Sequence, residues 1–228
     1  MNRRIKLAII DNAVDHRLYT PVEHWAQYLP VPWESFEAGA GRLPRWNEGF
    51  SHFILTGSEA SILDREVWAE AEAEFVREAV RRQAAILASC WGHQLLAYSL
   101  LGPAGVRRCR RPEIGWIPVD IHAPSEILGG PGQAFSFSLH FDEVADTGGQ
   151  FEVLASSPIC PVQAMALKNS RVWGFQIHPE ININSALTLL KNLAGLNPAT
   201  DPLYLAALRS EPRDSGLIRT IVKFFLDS

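Results

Sequence analysis

Cysteine is scarce in this sequence: Cys90, Cys109 and Cys160 form no even, regularly spaced set. A disulfide framework is therefore excluded as the source of stability, and each thiol is judged by its surroundings. Long apolar runs are missing as well. Nothing approaches the roughly eighteen consecutive apolar residues of a membrane helix. Met1-Asn-Arg-Arg4 leads into an apolar run from Ile5 to Ile10 that is too short for a signal-peptide core. Excess basic charge is absent: the net charge is -4, and the run Arg107, Arg108, Arg110, Arg111 is broken by Cys109. These absences argue against nucleic acid and membranes as partners and favour a cytoplasmic protein. No repeat, low-complexity tract or linker divides the chain, so residues 1–228 are read as one domain.

What is present is material for a large core, since 47% of the 228 residues are hydrophobic. Ile5 to Ile10, His52 to Thr56 and Ala84 to Ala88 are continuous apolar runs, as expected of strands covered on both faces of a parallel sheet. Between the second and third lies a segment from about Asp64 to Arg82 with Val67, Ala71, Phe75 and Ala79 at four-residue spacing, acidic early and arginine-rich late. This predicts an amphipathic crossover helix and a right-handed βαβ unit, which brings Gly57 and Cys90 to one edge of the sheet. From Ile117 onward short alternating runs, Ala134 to Leu139, Phe151 to Ala155, Val162 to Leu167 and Val172 to Ile177, predict an antiparallel or mixed extension. The stretch 184–228 predicts two or three helices separated at Asn197-Pro198 and Glu211 to Asp214.

The chemistry concentrates in two segments. Ala88-Ser-Cys-Trp-Gly-His-Gln94 ends the third apolar run and opens a helical pattern that stops at Gly102-Pro103. A nucleophile on such a strand-to-helix turn projects from the sheet edge, and the free N–H groups of the helix start favour an anionic sulfur. A lone cysteine is more often a packed core residue. The weight shifts with Trp173-Gly-Phe-Gln-Ile-His-Pro-Glu180, where an apolar run delivers His178 and, two residues later, Glu180. A cysteine nucleophile needs such a pair, an imidazole to move the proton and a carboxylate to fix its tautomer.

These two segments resemble the signatures of class I glutamine amidotransferases. Phe53-Ile-Leu-Thr-Gly-Ser58 is similar to that family's oxyanion loop, Glu113-Ile-Gly-Trp116 to a segment of its guanylate-synthase-like branch, and His140-Phe-Asp-Glu-Val144 to a loop bordering the glutamine pocket. The resemblance covers about residues 5–195, with 196–228 a C-terminal helical extension. It implies an α/β fold: a mixed, mainly parallel sheet with helices on both faces around a flavodoxin-like core. It also implies hydrolysis of the γ-amide of glutamine through a cysteinyl thioester. Cys90 would be the nucleophile, His178 the base and acid, and Glu180 its orienter. Gly57 and Trp91 would supply the oxyanion N–H groups, and Gln94 would help hold the glutamyl group. Ala88 stands where the family usually has glycine, which requires ordinary backbone angles there. Leu139 and Phe141 flank His140 where the glutaminases usually show a small polar residue and glycine; as pocket residues they would act on substrate choice.

Three functions remain open: a glutaminase serving a synthetase partner in trans, a γ-glutamyl hydrolase or peptidase acting on γ-glutamyl conjugates, and a catalytically silent interaction module. No cofactor or metal is expected. Cys90 and His93 have no second Cys/His pair at zinc spacing, so His93 is read as a packed helical side chain. Gly129-Gly-Pro-Gly132 lacks the context of a phosphate loop and is read as a turn.

Overall fold

A computed structural model of the chain describes residues 5–122 and 125–228. The reading of Met1 to Arg4 therefore lies outside the described residues. The first half alternates strand and helix: β1 (Leu7–Asp11), α1 (Pro21–Ala26), β2 (Trp33–Glu37), β3 (His52–Leu55), α2 (Val67–Arg81), β4 (Ala85–Ser89) and α3 (Trp91–Leu101). The second half is β5 (Val106–Ile121), β6 (Gly132–Val144), β7 (Phe151–Ser156), β8 (Ala164–Leu167), β9 (Val172–Phe175), then α4 (Ile183–Leu193), α5 (Asp201–Arg209) and α6 (Leu217–Asp227).

All nine strands join one sheet in the order β2-β1-β3-β4-β9-β8-β7-β5-β6. From β2 to β9 the pairings are parallel; beyond β9 they are antiparallel. The parallel part is a doubly wound, flavodoxin-like arrangement, in which sites form at the carboxyl ends of the strands. Every residue of β1, β3 and β4 is buried, because side chains alternate between two covered faces. Ala8, Ile10, Phe53, Leu55, Ile86 and Ala88 join α2 and α3 in one core. Leu7, Ile9, Ile54, Ala85 and Leu87 join Trp25 and the α6 residues Ile218, Ile221, Val222 and Phe225 in the other. Helix α6 thus covers a sheet face; each such apolar side chain contributes about 1.5–3 kcal/mol relative to exposure.

Three features depart from the expectation. The crossover helix forms, but Val67 is 87% exposed and Ala71 also faces outward; the buried stripe is Ala69, Glu72, Ala73, Phe75, Val76 and Ala79. Strict four-residue spacing drifts around a helix of about 3.6 residues per turn, so it leaves the core face within two steps. Strand β5 starts at Val106, well before Ile117, and carries the arginine run on its partly exposed surface. Its alternation is hidden by a register shift between Arg108 and Glu113. Strand β2 is an edge strand with four of five residues exposed, so it lacks the apolar pattern that marks its neighbours.

Candidate active site

Strands β3, β4 and β9 are neighbours in the sheet, so the loops leaving their carboxyl ends converge. Cys90 follows β4 and caps α3 with φ 47 and ψ -107, a region that costs a non-glycine residue of order ~1–3 kcal/mol. The surroundings hold it there. The Cys90 N–H donates to Phe175 O at 2.7 Å, and the Gly92 N–H to Thr56 O at 3.1 Å. A side chain at Gly92 would come within 2.6 Å of Leu55 O, so only glycine lets α3 start this close to β3. Ala88 sits inside β4 with no left-handed φ, so its methyl is accommodated. The Cys90 side chain is 5% exposed, with Sγ 3.5 Å from Leu139 O.

His178 leaves the end of β9 and is pinned by its N–H donating to Phe137 O at 2.8 Å. Its Nδ1 lies 2.9 Å from Glu180 Oε1. The Ser89 hydroxyl donates to the same oxygen at 3.1 Å. A carboxylate only accepts, so Nδ1 carries the proton and Nε2 is left for the Cys90 side chain within its reach. Burial opposes a charge on His178, but the Cys90 sulfur and the Glu180 carboxylate outweigh it and raise the imidazole well above its ordinary value. The arrangement can therefore hold an imidazolium between a thiolate and a carboxylate.

Gly57 adjoins both groups. A Cβ added there would lie 2.9 Å from His178 Cε1, 2.9 Å from Tyr19 Oη and 3.5 Å from Cys90 Cβ. Gly57 does not adopt a left-handed φ, so glycine is needed here for space and not for an unusual turn. On the oxyanion role that the family resemblance assigns to Gly57, Gly57→Ala should lower glutamine turnover by about 10² to 10³. Steady-state kinetics within tenfold of the parent would remove Gly57 from the site. Trp91 is the first residue of α3, where backbone N–H groups have no partner within the helix.

Gln94 donates from Nε2 to Asp142 O at 2.7 Å and to Gln176 Oε1 at 3.2 Å. Leu139 and Phe141 both line the cavity above Cys90 and pack against a third core cluster. The His140 imidazole is turned inward: Nε2 lies 3.0 Å from Glu113 Oε2 and Nδ1 3.0 Å from Asp142 O. Glu113, His140 and Cys160 place atoms within 4.8 Å of one another, as metal ligands do. The Glu113 carboxylate, however, already accepts from Ser157 at 2.5 Å, from His140 and from Gln163, so its oxygens are engaged within the protein. His93 is fully buried in α3, its ring against Gly174.

The cavity has a volume of about 270 Å³. Sequence reasoning missed several of its elements. Tyr19, from the irregular stretch before α1, meets His178 edge-on with ring centroids 6.1 Å apart. Arg108 and Glu59 both line the cavity, and Arg108 pairs with Asp142 at 3.0 Å. Ser89 alone had a signal, its place beside Cys90; the others come from segments with no periodic pattern.

Comparisons with known proteins agree with this geometry. The family model for class-I glutamine amidotransferases matches residues 10–193. A glutamine-hydrolysing GMP synthase subunit from Saccharolobus solfataricus is 39% identical over 113 residues, 49% of this chain and 59% of that protein. The glutamine-hydrolysing GMP synthase of Aeropyrum pernix is 34% identical over 152 residues, 66% of this chain and 27% of that protein. The matches therefore span less than two thirds of those relatives' length. A glutamine amidotransferase of Thermotoga maritima superposes over 100% of both chains with a TM-score of 0.75 at 17% identity, a likeness of fold. With most of the chain matched and its two signature segments meeting at one cavity, the protein belongs to the class I glutamine amidotransferase family.

Proposed function

We propose that the protein hydrolyses the side-chain amide of glutamine and releases ammonia for a separate synthetase partner. The observation that carries this reading is the convergence of Cys90 on a strained strand-to-helix turn with the His178–Glu180 pair and Gly57, Cys90 and His178 lining one cavity. Cys90 Sγ attacks the amide carbon, and the carbonyl electrons move onto an oxygen received by the Gly57 and Trp91 N–H groups. The tetrahedral intermediate collapses as His178 protonates the nitrogen, so ammonia leaves and a γ-glutamyl thioester remains. Water then gives a proton to His178 and attacks the thioester, and the returning proton frees the Cys90 sulfur as glutamate departs. Gln94 orders the wall that holds the glutamyl group. The names of the GMP synthase relatives support glutamine as the nitrogen source and a partner that consumes the ammonia. Residues 1–228 act as one domain in this reading, because α6, beyond the matched span 10–193, completes the second core. Among the described residues no helix is long and apolar enough to cross a membrane, and the three cysteines are free, which suits a reducing cytoplasm.

The test is glutamate release from glutamine by the purified chain, alone and with a cell extract supplying a partner. Release in either condition supports the reading. Failure with glutamine and with γ-glutamyl dipeptides in both conditions refutes it and leaves the silent interaction module.

One observation favours γ-glutamyl conjugates as a second reading: Leu139, Phe141, Leu189, Leu193 and Tyr204 give the cavity an apolar wall. The apolar side chains of Leu139 and Phe141 offer no partner to a free α-carboxylate, whereas Arg108 brings a charge into the same cavity. Replacing Leu139 with Ser and Phe141 with Gly should raise kcat/KM for glutamine relative to bulkier γ-glutamyl substrates by roughly tenfold, about 1.4 kcal/mol. An equal loss on both substrates in paired kinetic measurements assigns the two side chains to the core alone.

A further inference from the structure

The wall formed by Leu139 and Phe141 leaves the α-carboxylate of a glutamyl substrate without a partner, and one cation stands in the same cavity. Arg108 is the only lysine or arginine among the described residues that line it. It lies on β5 directly opposite Asp142 of β6, as Arg107 lies opposite Glu143. Successive side chains of a strand point to opposite faces. Arg107 is thereby taken to one face, where it pairs with Glu143 at 2.8 Å, and Arg108 to the other, where it meets the cavity. The register between β5 and β6 shifts just after Arg108, an irregularity of the kind that re-aims side chains beside sites.

The guanidinium is held at one end. Its Nη1 lies 3.0 Å from Asp142 Oδ1, and its Nη2 donates to Ser61 Oγ at 3.4 Å. The Ser61 hydroxyl in turn donates to Asp142 Oδ2 at 2.6 Å. Asp142 also ties this group to the nucleophile's helix: its carbonyl accepts from Gln94 Nε2 at 2.7 Å, and the Gln94 N–H donates to Cys90 O at 3.1 Å. A guanidinium carries five N–H groups in a planar fork. Asp142 and Ser61 take one from each terminal nitrogen. The Nε–H and the second Nη2 N–H have no acceptor among the described residues. Two parallel donors of this kind match the two oxygens of a carboxylate. Glu59, which also lines the cavity, is turned to the Val14 and Asp15 N–H groups and leaves that fork open. The Arg108 side chain is 56% exposed, and an ion pair so open to water contributes little to stability.

We propose that Arg108 is a specificity-determining residue whose open Nε–Nη2 fork receives the α-carboxylate of the glutamyl substrate, the contact that the apolar Leu139 and Phe141 do not provide. This inference rests on the glutaminase reading for the identity of the substrate. It also restricts the substrate class. Glutamine and γ-glutamyl compounds with a free α-carboxylate meet the fork; a glutamine residue inside a peptide, whose carboxyl is an amide, brings no charge to it.

The test compares glutamine with 4-aminobutanamide, which is glutamine without its α-carboxylate. The parent should prefer glutamine in kcat/KM by roughly 10- to 100-fold, the worth of hydrogen bonds between charged groups. Arg108→Gln keeps a donor for Asp142 and removes the cation and its fork. It should lower that preference by about the same factor, through KM and not kcat, and Arg108→Lys should recover part of it. A preference retained in Arg108→Gln, or an equal loss on both compounds as a purely structural ion pair would give, overturns the proposal. A second measurement needs neither a variant nor turnover. Phenylglyoxal modifies accessible guanidinium groups, and peptide mapping follows its reaction at Arg108 in the parent. Glutamine should slow that reaction, and 4-aminobutanamide at the same concentration should not. If Arg108→Gln fails to fold, or the parent fails to turn over glutamine, this arm decides. Protection by glutamine alone supports the role, and equal labelling in the presence of either compound overturns it. A parent that hydrolyses glutamine while its Arg108 stays unprotected would remove this inference and leave the glutaminase reading standing.

Discussion

Cys90→Ala should lose about 10⁶ in glutamine turnover while the protein stays folded, since removal of a triad nucleophile costs as much as removal of the whole unit. The site predicts this selectively for one thiol. Cys90 stands at the cavity, against His178. Burial raises the Cys109 thiol to about 12, and burial raises that of Cys160 further still, so neither supplies appreciable thiolate near neutrality. A glutamine-like electrophile should therefore label Cys90 within the time of a few turnovers and leave the other two untouched. Peptide mapping that finds Cys109 or Cys160 modified and Cys90 free would remove Cys90 from the mechanism. Circular dichroism and thermal melting separate a catalytic loss from an unfolded variant.

Glu180→Gln should cost roughly 10⁴ in turnover through the wrong imidazole tautomer. In the parent the carboxylate accepts from His178 Nδ1 at 2.9 Å and from Ser89 at 3.1 Å. Both groups address the same carboxylate oxygen; a glutamine whose NH₂ group takes that place donates to Nδ1 and to the Ser89 hydroxyl oxygen, which leaves the ring proton on Nε2, facing the sulfur. The base is then blocked although little has moved. Kinetics of the variant alongside Ser89→Ala test this: the Ser89 change should cost far less, and a Glu180→Gln variant within tenfold of the parent would make the carboxylate merely structural. The same pair sets a pH dependence. The raised His178 contributes stability that is full below its ordinary 6.5 and is lost as pH rises through its higher folded value. Both Cys90→Ala and Glu180→Gln remove a group that raises it, so their melting temperatures should vary less with alkaline pH than the parent's. A parental pH dependence in both variants would contradict the charged pair.

Much of this was legible in the sequence because it is locally encoded. Strands β1, β3 and β4 appear as unbroken apolar runs since both sheet faces are covered. The turn at Cys90 shows as a switch from strand to helix pattern. The pair at His178 and Glu180 is bound by its own spacing. Strands β7 and β8, the strand β9 that joins them to the parallel part, and the C-terminal helices follow from short apolar runs and from turn residues at their ends. Strand β2 and the start of β5 were hidden for the opposite reason: their side chains are largely solvent-facing, so burial imposes no period on them.

The sequence by itself thus determined the fold class, the family and the two segments that carry the chemistry, because periodicity, turn chemistry and motif spacing act over a few neighbouring residues. Only the tertiary structure decided which distant groups meet. It sets β9 beside β4 and so brings His178 to Cys90. It turns His140 into the Glu113 network and makes Gly57 a matter of space against His178. Above all it buries Glu72, which in an amphipathic helix among Glu70, Glu74 and Glu78 reads as one more solvated acid. The physical reason is that burial belongs to the assembled layers: helix α2 is rotated by the packing of all its buried neighbours, and that rotation, not the identity of residue 72, takes its carboxyl out of water.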